Sequence, residues 1–375
     1  MGLNIGSVIL AKRKQAGITQ QQLADFMDVS KASVSKWETG QSYPDITLIP
    51  LLASYFDISI DQLMDYTVQL DDQEVRVIYQ ELQAGFEEQS GEVMLKRIND
   101  YLHRYYSCAS LVLALGQLII NHMDMLPGEN QSSKIETYVE KAKSLFQHVK
   151  KITSNANFID KATKLEAYCL IMQNRPDEVL VLLGKHSPEY IPSESLIAVA
   201  YQQKQDLPSA ITTSQSGIYQ QVAVLLSQLT NYFQLLQKPA LLDATFMRGN
   251  ALIEAFDLER LNRINVLNFL ISAATCYARI QQTEVVHGCL TRCIKILKHV
   301  TTPLNLHGDQ YFDQIDDWLK QTTIGDVVPR NPKHLNRDLI ISIENNTFLK
   351  PYLKQAEFKD VCQQLKQIKE ESNHA

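Results

Sequence analysis

Four residues of this 375-residue chain, Lys31, Ala32, Ser35 and Lys36, have the types and spacing that point most directly to chemistry. They lie opposite Val34 and Trp37 on a short segment that follows Ser30, as expected of a helix with one apolar side and one solvent side. An ammonium group can donate to guanine O6 and N7, a hydroxyl can donate or accept, and an alanine methyl can touch the methyl of thymine, so this face suits base edges in the major groove of double-stranded DNA. Either lysine could serve a phosphate instead. Lys12, Arg13, Thr19, Gln20 and Thr39 flank the segment and are the expected phosphate contacts, supported by free N–H groups at a helix start. Trp37 repeats the register of Val34 and is expected in the core, not on a ligand.

Five short helices must hold that face. The first spans roughly residues 4–16 and stops at Gly17. The second starts at Thr19, whose spacing to Gln22 is that of a capping box. The third runs from the Ser30 cap to Thr39 and is closed by Gly40. A fourth, capped by Thr47, carries Leu48, Leu51, Leu52, Tyr55 and Phe56. A fifth begins with a second capping box, Ser59 with Gln62. These elements define an expected domain over residues 1–66, followed over 67–74 by a polar, acidic stretch that reads as a linker or the first turn of a connecting helix.

From 75 to 375 almost every segment has helical periodicity, with expected helices that include 207–237, 264–281, 283–299, 309–321 and 352–371. Weak repetition appears within it. Tyr168 with Asn174-Arg175-Pro176 recurs as Tyr201 with Asp206-Leu207-Pro208, and Cys276-Tyr277 with Val286 is a fainter echo, all near the tetratricopeptide period. The expected fold is all-α: a five-helix DNA-binding domain and then a tetratricopeptide-like superhelix, with a general helical domain as the alternative.

Composition narrows the function. Apolar residues make up 45% of the chain and charged residues 21%, an ordinary globular balance. The formal charge is −6, and residues 1–66 hold five cations against seven acids, yet between 12 and 36 there are five cations and two acids. A local basic face therefore fits better than strong non-specific DNA binding. There is no membrane-spanning run and no signal-peptide pattern, which makes the cytoplasm the expected location. No P-loop, Gly-rich dinucleotide turn, nucleophile elbow or HExxH motif occurs, so no enzyme and no cofactor are expected. His287, Cys289 and Cys293 share a helix, but they sit among apolar residues and lack a fourth ligand, so no metal is expected.

The stretch Gly17-Ile18-Thr19-Gln20, Leu23-Ala24, Val29-Ser30, Ser35-Lys36-Trp37-Glu38-Thr39-Gly40, Pro44-Asp45 and Asp61-Gln62-Leu63 resembles the Xre/Cro-type phage-repressor helix-turn-helix family. The resemblance implies a lambda-repressor-like domain, Gln20 on a phosphate, the start and middle of the third helix on bases, and Arg13 paired with Glu38. Thr39, Lys31 and Ala32 depart from residues common in that family, so no target sequence is implied. A domain of this type followed by helical repeats looks like the Rgg and PlcR kind of peptide-sensing regulator. That likeness implies a homodimer formed through the repeats and a short peptide held in a groove. Asn231, Asn250, Asn265 and Asn268 are the candidate groove residues because each amide offers a donor and an acceptor, and Arg248 is available for a terminal carboxylate. The alternative is a helical-repeat interaction scaffold whose amino-terminal domain is auxiliary.

Overall fold

Helix boundaries in this chain are set by side-chain caps and left-handed stops. The computed structural model describes residues 4–66, 69–186, 192–298, 305–322, 325–326 and 332–374, and among them the chain is all-α with no strand. Thr67 and Val68, at the start of the expected linker, lie outside the described residues, and residues 72–74 at its end are already the first turn of a helix capped by Asp71.

Helix α1 (Ile5–Gln15) ends at Gly17, whose φ of 68° is a backbone state that glycine adopts without strain. Helix α2 (Gln20–Phe26) opens on a reciprocal cap: Thr19 Oγ1 accepts the Gln22 amide at 3.2 Å, and Gln22 Oε1 accepts the Thr19 amide at 2.8 Å. Ser30 Oγ accepts the Ser33 amide and starts α3 (Lys31–Glu38). The start of α4 (Ile49–Tyr55) corrects the sequence expectation, because Asp45 and not Thr47 is the capping acceptor. Its Oδ1 takes both the amide and the hydroxyl of Thr47, and a single 3-10 turn over Ile46–Leu48 intervenes. A carboxylate accepts more strongly than a hydroxyl, so the earlier residue wins. Helix α5 (Ile60–Leu63) uses the Ser59–Gln62 box. Ile5, Ile9, Leu23, Val34, Trp37, Leu52 and Leu63 form the shared core, and Asn4 Nδ2 donates to Asp65 Oδ2 at 2.9 Å, tying the two ends of this unit together.

A second core, built on Tyr79, Ile98, Leu113, Leu118 and Phe146, is shared by α6 (Asp72–Glu88), α7 (Gly91–Arg104), α8 (Ala109–Asn121), α10 (Glu140–Ile152) and α11 (Ala156–Met172), while α9 (Gln131–Lys134) and α12 (Pro176–Leu183) bury no residue in it. One π-turn over Ile135–Val139 joins α9 to α10. The chain continues as α13 (Ser193–Gln203), α14 (Leu207–Leu235), α15 (Pro239–Ala255), α16 (Leu258–Leu261), α17 (Arg263–Arg279), α18 (Thr283–Lys298), α19 (Asp316–Gln321), α20 (Pro332–Asn345) and α21 (Lys359–His374). Phe233, Phe269, Tyr277, Leu290, Ile343 and Phe358 belong to the third core, which gathers α14, α15, α17, α18, α20 and α21.

Three hairpin turns in this larger part share one geometry. Asn174, Gln205 and Gln281 each stop a helix at a φ between 55° and 60°. The amide after each reaches back to a carbonyl five residues earlier: Arg175 to Leu170, Asp206 to Tyr201 and Gln282 to Tyr277. The far end of the chain returns to α6, where Arg76 Nη1 donates to Gln321 O at 3.0 Å and His334 Nε2 lies 3.4 Å from Glu87 Oε2.

Two expectations about helices change, and one short helix was not expected. The segment 309–315 is not helical, because Asp309 Oδ1 captures the Tyr311 and Phe312 amides at 2.9 and 2.8 Å and closes a local turn before α19. The last helix begins seven residues later than expected, after two 3-10 turns at Tyr352–Lys354 and Ala356–Phe358. The single turn α16 had no counterpart in the periodicity. No helix among the described residues is long and apolar enough to cross a membrane.

Candidate nucleic-acid interface and ligand groove

Helix α3 divides sharply between its two sides. Val34 is fully buried and Trp37 nearly so, while Lys31, Ala32, Lys36 and Thr39 are exposed and Ser35 is half-buried. The outward side thus offers two ammonium groups, a methyl and a hydroxyl within about two turns, a size that fits the major groove. Helix α1 backs it closely: a β-carbon on Gly6 would fall 2.1 Å from Trp37 O.

Glu38, at the end of α3, is the hub that fixes the helix against its neighbours. Arg13 grips both carboxylate oxygens, with Nη2 at 2.9 Å from Oε2, and its Nη1 also donates to Ile18 O at 2.8 Å. Gln20 Nε2 adds a third donor to Glu38 Oε2 at 2.8 Å. Burial of the carboxyl, whose side chain is 3% exposed, opposes ionisation, but hydrogen bonds from Arg13 and Gln20 outweigh it and hold Glu38 below the usual carboxylate range. The same hydrogen bond raises Arg13 above its ordinary value. Because the folded-state value is depressed, the stabilisation is complete above the ordinary Glu value of 4.5 and is lost as pH falls through the lower folded value. Glu38→Gln should therefore lower stability at neutral pH and shrink the acid-induced loss, as seen in thermal melts between neutral pH and pH values below that of an ordinary Glu. Equal acid sensitivity in both proteins would contradict the hub.

The donors expected on phosphate are partly committed elsewhere. Arg13 and Gln20 spend theirs on Glu38 and Ile18, Thr39 Oγ1 lies 3.0 Å from the Ser35 carbonyl, and Thr19 Oγ1 lies 3.1 Å from Gln22 Oε1. Lys12 and the α2 amides of Gln20 and Gln21 are the groups left for phosphate at this end.

Residues 9–63 match the helix-turn-helix family model. The chain is 36% identical over 52 residues to the HTH-type transcriptional activator BcrR of Enterococcus faecalis, a match covering 14% of this chain and 26% of that protein. It is 34% identical over 71 residues to the competence pilus inhibition repressor of Acinetobacter baylyi, covering 19% and 64%. It therefore spans about a quarter of the first relative and less than two thirds of the second. To the SPbeta prophage-derived HTH-type transcriptional regulator YonR of Bacillus subtilis it is 30% identical over 91 residues, 24% of this chain and 84% of that one. The chain belongs to the helix-turn-helix transcriptional regulators. No solved structure matches it.

Far from α3 in sequence, this regulator has a groove of about 900 Å³ between α14, α17 and the end of α20. Asn231, Asn265 and Asn268 line it together with Gln234, Asn345 and Asn346. Asn265 Nδ2 is committed to Ala223 O at 3.2 Å, and Asn346 Nδ2 to Thr275 Oγ1 at 3.0 Å. Two residues expected there do not reach it. Arg248 folds back on Ala244 O at 3.0 Å, Asn250 Oδ1 accepts from Arg292 at 2.6 Å, and neither lines the groove. The cation present is Arg279, whose Nη2 donates to Cys276 Sγ at 3.1 Å and whose guanidinium lies 5.8 Å from the Phe348 ring centre.

A sequence signal for Arg279 did exist. Asn265, Asn268, Ser272, Thr275 and Arg279 follow one another at helical spacing along α17, a polar stripe on a helix otherwise packed with buried apolar residues. Cys289 and Cys293 on α18 are buried in the third core, where burial pushes the Cys289 thiol up to about 12 and the Cys293 thiol higher. His287 lies edge-on to Phe358 at 5.2 Å.

Proposed function

We propose that the chain is a cytoplasmic, sequence-specific transcription regulator that places the outward face of α3 on base edges, works as a homodimer, and takes its signal from a short peptide in the α14–α17–α20 groove. The outward Lys31-Ala32-Ser35-Lys36 face, exposed except for half-buried Ser35, backed by buried Val34 and Trp37 and braced through Glu38, carries this reading. Lys31 and Lys36 contact bases, while Lys12 and the α2 amides meet phosphate. A gel shift with DNA from the protein's own promoter region tests it. Binding should be tight and should weaken linearly on a log–log plot against salt. Protein partners captured from extract in the absence of any salt-sensitive DNA binding would instead favour an interaction scaffold.

The dimer rests on geometry and on surface. A two-fold pair sets its recognition helices one DNA turn apart, about 34 Å. Helices α12 and α13 bury no residue fully and expose Leu180, Val181, Leu183, Leu196, Ile197 and Val199. Val181 is 85% and Leu196 66% exposed, and exposed apolar side chains in such number are a mark of a protein–protein contact. A second copy of the chain is the occupant that the half-site geometry calls for. Val181→Asp with Leu196→Asp should convert a sedimenting dimer to monomers and weaken operator binding. A wild-type chain that is monomeric both on and off DNA would overturn this.

Peptide in the groove is supported by exposed Asn231, Gln234, Asn268 and Asn345, each able to pair with a peptide N–H and C=O at once. A peptide changes DNA affinity only through unequal affinity for two arrangements of the protein.

A further inference from the structure

The groove's charge is one-sided. Arg279 lies in it, and a second cavity of about 510 Å³ that shares Asn345 and Thr347 with it is lined by Lys350 and Lys354. Among the described residues, no aspartate or glutamate lines either space. Among the described residues no carboxylate pairs with Arg279, Lys350 or Lys354, whereas Arg292 and Lys369, on α18 and α21, are matched by Glu259 and Glu344. The chain as a whole carries −6, so three unmatched cations around one concavity are a local reversal of sign that draws an anion.

The wall carrying them is fixed. Asn346 Oδ1 accepts the Phe348 and Leu349 amides at 3.0 and 3.2 Å while its Nδ2 holds Thr275, so the turn from α20 toward Lys350 is pinned to α17. Phe348 in turn carries the Arg279 guanidinium on its ring.

We infer that the ligand is an acidic peptide with a free terminal carboxylate, its backbone on the groove amides, its α-carboxylate on Arg279 and an acidic side chain reaching Lys350 and Lys354. This rests on the peptide reading above and narrows it to a chemical class. A guanidinium presents paired N–H donors that match a carboxylate in two places, while the lysines act as point charges that suit a mobile side-chain acid. A basic peptide would meet three like charges and no acceptor of its own charge.

The probes are three pools of synthetic octapeptides, randomised over apolar residues and carrying fixed aspartates, asparagines or lysines, each made as free acid and as carboxamide. Their binding to the full-length chain is read by retention and mass spectrometry. The aspartate free-acid pool should be retained about tenfold over the asparagine pool, and the lysine pool least. Arg279→Gln should erase the preference for free acid over carboxamide, and Lys350→Gln with Lys354→Gln should erase the preference for aspartate over asparagine. All three side chains are exposed, so the variants should melt like the parent. If Arg279→Gln fails to fold, the free-acid against carboxamide comparison on the parent carries the test. Equal retention of the aspartate and asparagine pools, or preference for lysine, overturns the acidic class and leaves a peptide ligand standing. Retention of no pool overturns both.

Discussion

Replacing Gly6 by alanine should abolish operator binding although every DNA-facing side chain stays in place. At Gly6 the axis of α1 comes so near the end of α3 that an added β-carbon meets Trp37 O at 2.1 Å, and ordinary contact begins near 3.4 Å. The obstacle is backbone, so no rotamer change relieves it. The two helices must part by about 1 Å, at a cost of about 1–3 kcal/mol as for other overpacked interiors. A domain of this size has only about 5 kcal/mol to spare. The displacement also separates Arg13 on α1 from Glu38 on α3, which removes the hub that orients the reading face. A lowered melting transition with operator affinity reduced to the non-specific level is the expected pair of results. Wild-type affinity in Gly6→Ala would mean that α3 does not depend on α1 for its position.

Lys31→Ala combined with Lys36→Ala should eliminate discrimination between operator and random DNA, whereas Lys12→Ala should weaken both nearly equally. Each lost base contact costs about 1–3 kcal/mol of discrimination, so the double change removes on the order of 2–6 kcal/mol, much of what separates specific from non-specific binding. A phosphate contact carries no sequence information, so its loss lowers affinity for every duplex and reduces the salt slope by about one. Both lysines are exposed, and neither takes part in the Glu38 hub. The variants should therefore melt like the parent. If the double variant binds all DNA more weakly but keeps its operator preference, the lysines are phosphate contacts and Ser35 and Ala32 alone face bases.

Much of the helix-turn-helix domain is legible in the sequence. Thr19, Ser30 and Ser59 cap helices because a hydroxyl two or three residues ahead of an unpaired amide has one obvious use, and Val34 with Trp37 fixed the register of α3. Local chemistry decides such features. Asp45 takes the cap from Thr47 because its carboxylate accepts both the amide and the hydroxyl of Thr47, a turn that helical periodicity does not reveal. The groove was only half legible, because its walls come from α14, α17 and α20, and α20 is brought to α17 by contacts such as Asn346 to Thr275, 71 residues apart. Asn265 and Asn268 lie on the wall because α17 faces the groove. Arg248 and Asn250 do not, because α15 spends them on Ala244 and Arg292. Nothing in the local period of α15 says which of its sides faces a helix from elsewhere in the chain.

Protection of guanine N7 from methylation, mapped across the operator with bound protein, tests most directly whether α3 lies against base edges. N7 is open only in the major groove, so the expected pattern is two clusters of protected guanines about ten base pairs apart, with protection lost in Lys31→Ala plus Lys36→Ala. A bound operator whose major-groove guanines all remain reactive would contradict the account, since the protein would then be holding DNA without reading it through this helix.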